Sequence, residues 1–179
     1  MSKYFHLSLM AVLLTVVACS PNVTKDQDSY FYSVPVGSKL HLKQEIIIKA
    51  NLGRTYFQYG KAVKKKDLNL YYPHCSITIN TLSEGDTIIK PATFEIYKVV
   101  DDEQYTQRHI MYASIASFDG DGGSDIVGYV SHYYLRSDSE PDVRTLECLQ
   151  WNSRKDVEYL SINEVRNVLG NIFDLELNE

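Results

Sequence analysis

The stretch RHIMYASIASF (108–118), DGDGGSD (119–125) and IVGYVSHYYLR (126–136) decides the fold class. Two long runs rich in Ile, Val and Tyr flank a tip of glycines and aspartates, the residues that tolerate positive φ in a tight reversal. The pattern predicts a β-hairpin of Arg108–Phe118 with Ile126–Arg136, placing Tyr112 across from the second strand. Toward the N-terminus, Leu40 and Leu42 alternate with polar neighbours, Ile46–Ile48 is a short apolar run, and Arg54–Tyr59 is an aromatic segment. Gly60 to Asp67 reads as a polar connection, Cys75–Ile79 as a further strand, and Ile88 and Ile89 lead to Pro91, which marks an edge or a strand start. Thr93–Val100 is the clearest β-branched run of the middle section. Toward the C-terminus, a polar link through Asp138 and Pro141 leads to a strand over Val143–Trp151.

One helix is legible. Ser161 and Glu164 stand in capping-box spacing, Ile162, Val165, Val168 and Leu169 form one apolar stripe, and Gly170 stops it. Phe173 and Leu175 follow as a last strand or tail. The fold class expected is mainly β, an antiparallel barrel or sandwich of about seven or eight strands with one C-terminal helix packed on the sheet. No repeat of 20–50 residues and no low-complexity tract interrupts this reading.

Acidic and basic residues are interspersed along the 179-residue chain, whose formal charge is −5. That balance argues against nucleic acid as a partner. Fourteen tyrosines favour half-buried strands.

The N-terminus carries Lys3, then an uncharged apolar run from Leu7 to Val17, then Ala18 and Cys19. A membrane-crossing helix needs about 20 apolar residues, so this shorter run reads as an export signal. Val16, Val17, Ala18 and Cys19 resemble the lipobox of bacterial lipoproteins, with Val16 in place of the usual Leu. The resemblance implies cleavage after Ala18, acylation of Cys19, including palmitate, and attachment to membrane lipid. Ser20 after the cysteine implies the outer membrane. An ordinary signal peptide cut near Ala18 is the alternative. Residues 1–18 are thus expected as signal, 19–29 as the lipidated cysteine and a flexible tether, and 30–179 as a single β-rich domain.

In an exported chain the remaining cysteines, Cys75 and Cys148, are expected to form a disulfide, with two buried thiols as the alternative. With the strand-borne Cys75, the Glu147–Leu149 segment before Trp151 and the capped helix, the body resembles small proteobacterial lipoproteins with two cysteines in a β-rich domain. That group brings no known activity with it.

Several residue groups suggest chemistry, each with a plainer reading. Asp119, Asp121 and Asp125 supply oxygen ligands among glycines, as Ca²⁺ prefers, but an EF-hand pattern is incomplete and a hairpin tip needs the same residues. Lys61, Lys64, Lys65 and Lys66 form the only basic cluster, suited to lipid phosphates or simply solvated. Tyr129, Tyr133 and Tyr134, with Tyr112 across the hairpin, offer an aromatic platform for sugar or protein; by alternation Tyr129 and Tyr133 share one face and Tyr134 the other, so at least one set belongs to the core. His74 adjoins Cys75, but strand neighbours point to opposite faces and form no dyad. His41, His109 and His132 lack the usual zinc spacings, and nucleophile-elbow and phosphate-loop motifs are missing. No cofactor is implied. The sequence therefore predicts a membrane-anchored periplasmic lipoprotein that binds or supports another envelope component, such as a second envelope protein, without catalysis. A glycan or peptide hydrolase, or a Ca²⁺- or sugar-binding module, are the alternatives.

Overall fold

The computed structural model describes residues 25–105, 126–153 and 159–178. The signal segment, Cys19, the strand expected over Arg108–Phe118, His109 and the Asp119–Asp125 loop lie outside the described residues.

In chain order come β1 (Lys39–Leu42), β2 (Ile46–Ile48), β3 (Arg54–Gln58), β4 (Lys61–Val63), a 3₁₀ turn (Lys65–Asp67), β5 (His74–Ile79), β6 (Thr87–Ile89) and β7 (Ala92–Tyr105). They are followed by β8 (Ile126–Arg136), β9 (Val143–Ser153), α1 (Ile162–Leu169) and β10 (Phe173–Glu176). Eight strands form one antiparallel sheet in the order β10-β1-β7-β8-β9-β5-β3-β4, while β2 and β6 make a separate pair. The large sheet curls into a half-barrel, the open form of the expected architecture.

Strand alternation explains where the core sits. Leu40, Leu42, Phe57, Cys75, Ile77, Phe94, Ile96, Tyr133, Leu135, Leu146 and Cys148 are all buried in one cluster on the inner side. Opposite them, on the outer side, stand His41, Arg54, Thr93, His132 and Glu147. Tyr97 sits in a bulge between Ile96 and Lys98, which restores the inward phase for Val99.

One register differs from the sequence reading. The sequence predicts Arg108–Phe118 as the partner of Ile126–Arg136, whereas β8 pairs with β7 on one side and β9 on the other. Glu103 of β7 lies opposite Tyr129. The second half of β7 reads Asp101-Asp102-Glu103-Gln104 and is exposed on both faces, so it carries no apolar period to betray a strand.

Helix α1 forms where the sequence places it. Ser161 Oγ accepts from the Glu164 N–H, and the Glu164 carboxylate accepts from the Ser161 N–H at 2.8 Å. Its stripe, Ile162, Val165, Val168 and Leu169, is buried against β3, β5 and β10. Each such side chain contributes about 1.5–3 kcal/mol relative to exposure. Phe57 of β3 meets Phe173 of β10 edge to face at 5.3 Å, joining strands near opposite ends of the sheet order. The Asn163 N–H donates to Gln27 O at 3.1 Å, and Asn163 also bonds the Asp28 carboxylate, so the described chain is fastened to the helix from Gln27 onward.

Gly170 ends the helix with φ +53°, and a Cβ there would stand 2.5 Å from the Gly60 Cα. We expect Gly170→Ala to lower unfolding free energy by about 1–3 kcal/mol through this overlap and the strained backbone, read from urea denaturation. Cys75 and Cys148 face each other on β5 and β9 and are joined by a disulfide spanning 73 positions. Replacing both by Ala should remove on the order of 4 kcal/mol by the loop-closure relation, measured in the same assay.

Candidate functional site

The outer side of β3, β5, β9 and β8 brings Arg54, Ser76, Glu147 and His132 into one row, because Ser76 pairs with Glu147 and Glu147 with His132 across the ladders. Arg54 Nη1 lies 2.9 Å from Glu147 Oε2, and His132 Nδ1 lies 3.8 Å from Glu147 Oε1. The carboxylate thus lies between a guanidinium and an imidazole in a hollow of about 330 Å³ that Thr78, Tyr134, Arg144 and Thr145 also line. Thr78 Oγ1 donates to Thr145 O, so this hydroxyl is engaged by the backbone of β9.

Next to it, Tyr97 and Tyr134 stand 6.2 Å apart, with Arg136 over the first ring and Lys98 over the second. Arg136 is committed to Glu95 at 2.8 Å. A shallow concavity of about 590 Å³ opens here between Tyr97, Arg136, Asp138 and Arg144.

A third polar row runs across β7, β1 and β10. His41 Nδ1 is 3.0 Å from Thr93 Oγ1, and His41 Nε2 is 3.0 Å from Glu176 Oε2. Hydroxyl, imidazole and carboxylate stand in triad order, but on an open strand surface where the Glu176 side chain is 60 % exposed. β1 is paired along both edges, so its amides are engaged in ladders and unavailable to an oxyanion.

The concavity with the composition of a ligand site is different from all of these. Between the outward side of β2 and the β3–β4 edge lies a groove of about 580 Å³, walled by Ile47, Leu52, Tyr56, Val63 and Leu82. Lys49, Lys64 and Lys65 also line it. Its size falls within the roughly 300–1,000 Å³ of small-molecule pockets, and apolar walls with few charged groups are their usual make-up. Behind it, the buried Gln58 amide donates to Asn69 O at 2.8 Å and accepts from the Asn69 N–H at 3.1 Å, tying down the chain after the 3₁₀ turn. Leu70 O accepts from the Trp151 N–H at 3.0 Å, which anchors the same segment to β9.

The sequence-predicted residues distribute unevenly around these features. Lys64, Lys65 and Lys66 are exposed at and after the end of β4, and the first two reach the groove. Tyr129 and Tyr133 are only 1 % and 2 % exposed, so they form no platform for an external ligand. Their shared face is the inner face of the curl: Tyr133 belongs to the core, and burial raises its phenol pKa, while Tyr129 packs edge to face on Tyr159. Tyr134, on the opposite parity of β8, does reach the outer side, where it stands beside Tyr97. Cys75 and His74 point to opposite sides as expected, with the thiol consumed in the disulfide. Among the described residues no group of three or more His, Cys, Asp or Glu side chains could hold a metal ion, and no helix is long and apolar enough to cross a membrane.

Sequence reasoning missed Arg54, Glu147 and Ile47. A signal existed for Ile47: in a strand reading Ile46-Ile47-Ile48 the middle side chain must face away from its neighbours. Glu147 and Arg54 are 93 positions apart and carry no local pattern. No known protein family, no curated protein and no solved structure matches this chain.

His74 is almost fully buried, and its Nδ1 lies 2.8 Å from Tyr72 O. Burial lowers its pKa below the ordinary imidazole value, outweighing the opposing hydrogen bond. The folded state therefore prefers the neutral ring, and this preference is fully satisfied above the unfolded-state value of about 6.5. As pH falls through that value the unfolded chain gains a proton the folded chain resists, so stability declines. Urea midpoints measured between about pH 7.5 and 5 should fall on acidification, and His74→Gln should flatten the slope over that range.

Proposed function

We propose that this protein is a bacterial envelope lipoprotein, exported, acylated at Cys19 and carried on the outer membrane with its domain in the periplasm, where it binds or supports another envelope component without catalysing a reaction. The observation that carries the reading is the Cys75–Cys148 disulfide inside the core. Such bonds persist in oxidising compartments and are rare in reducing ones, which agrees with an export segment ending at Cys19. A structural bond between neighbouring strands leaves the thiols without a chemical role of their own.

The binding character rests on the surface. Its concavities are lined by ion pairs, tyrosines and apolar side chains; of the two His–carboxylate contacts among the described residues, His41–Glu176 lies on an open strand face, and in His132–Glu147 the carboxylate is also engaged by Arg54. The hydrolase alternative draws its one specific support from the Thr93–His41–Glu176 row. If that row were catalytic, Thr93→Ala would abolish turnover of an envelope glycan or peptide fragment; we expect no turnover to lose.

Attachment is tested in cells by fractionation and radiolabelled palmitate. The natural chain should incorporate label and sediment with outer membrane, whereas Cys19→Ser should carry no label and move to the soluble periplasmic fraction. Retention of Cys19→Ser in the membrane fraction would overturn the lipoprotein reading.

A further inference from the structure

Ile47, Leu52 and Leu82 expose 48, 52 and 67 % of their surface, and all three line one groove. Ile88, paired with Ile47 across the small sheet, extends the apolar surface at 52 % exposure. Contiguous exposed hydrocarbon of this kind marks a place where something binds. The charge at the groove is unevenly balanced. Lys49 is neutralised by Asp86, whose carboxylate lies 2.7 Å from Nζ and also accepts from the Ala50 N–H. Lys64 and Lys65 have no acidic partner among the described residues.

An apolar trough beside two uncompensated ammonium groups is complementary to an amphiphile with one anionic end. A peptide would bring a run of backbone amides that need partners, and the three-residue free edge of β4 could pair only a few of them. A hydrocarbon chain brings no such need, and its transfer from water is driven by the area it buries.

We propose that this groove holds an acyl chain of one anionic phospholipid from a membrane face, its phosphate met by Lys64 and Lys65. The assignment gives the binding role proposed above a ligand class and rests on that role, but not on acylation of Cys19. Ile47, Leu52, Tyr56, Val63 and Leu82 contact the chain, and the two lysines select the head group.

The test uses the full chain carrying Cys19→Ser, which bears no lipid of its own. It is incubated with phosphatidylglycerol vesicles, separated from them and weighed by native mass spectrometry, with phosphatidylcholine vesicles in parallel. One phosphatidylglycerol per chain is expected, with retention of phosphatidylcholine lower by roughly tenfold. Leu82→Asp combined with Ile47→Thr should abolish retention of both lipids. Lys64→Gln combined with Lys65→Gln should keep retention and lose the preference. Trp151, the only tryptophan, reports by fluorescence that each variant is folded. The proposal is overturned if no lipid stays with the unsubstituted groove, if retention survives Leu82→Asp with Ile47→Thr, or if the lysine variant keeps the preference. A dimer that the groove variant makes monomeric would also overturn it, naming a second copy as the occupant. These outcomes leave attachment through Cys19 to be decided separately by cell fractionation.

Discussion

The backbone of Gly60, in the turn between β3 and β4, lies against that of Gly170 at the end of α1. The Gly60 N–H donates to Val168 O at 3.0 Å across this contact. Without it the helix could not lie deep enough to fill the inner side of the curl. Eight strands that do not close on themselves leave their inner apolar faces in need of cover, and the four buried side chains of α1 supply it together with Phe173. The curl, the helix and the C-terminal strand are therefore one cooperative arrangement: β10 pairs with β1, while its Phe173 ring reaches across to Phe57 of β3.

The consequences reach both sides of the sheet. On the inner side of β5 and β9 the pairing of Cys75 with Cys148 places a covalent link between adjacent strands at the centre of the sheet. On the outer side of the same strands, His74, Ser76 and Glu147 sit in a polar layer in which the Glu147 charge is balanced by Arg54, with His132 beside it. Trp151 covers Gly128 so closely that a Cβ there would stand 3.2 Å from the indole. The sheet is thus covered on both faces at Trp151, and one exposed apolar patch lies toward the small sheet and the β4 edge.

Much of the architecture was legible because it obeys local rules. The capping box at Ser161 and Glu164, the stripe from Ile162 to Leu169 and the stop at Gly170 each predict the same helix, and the alternations near Leu40, Cys75 and Thr93 each predict a strand. The partner of β8 was not legible, because Asp101 to Gln104 show no apolar period, although Ser131 Oγ donates to the Asp101 carboxylate across the pair. Tyr129 and Tyr133 share a face, as alternation requires, but which face is inward is decided by the curl of the whole sheet. The groove was legible only in part. Lys64 and Lys65 stood out as charge, whereas its walls come from β2, β3, β4 and the turn near Leu82, segments that no spacing rule connects.

A half-barrel, unlike a closed one, has ends. Among the described residues the large sheet terminates at β4 and β10, which offer three and four residues of unpaired strand edge. Lys61 lies on the first, Asp174 and Glu176 on the second. Short, charged edges are poor templates for strand addition by a neighbouring molecule. That brevity limits edge-to-edge polymerisation, so an incompletely closed sheet is protected from strand addition without the closure that larger barrels use.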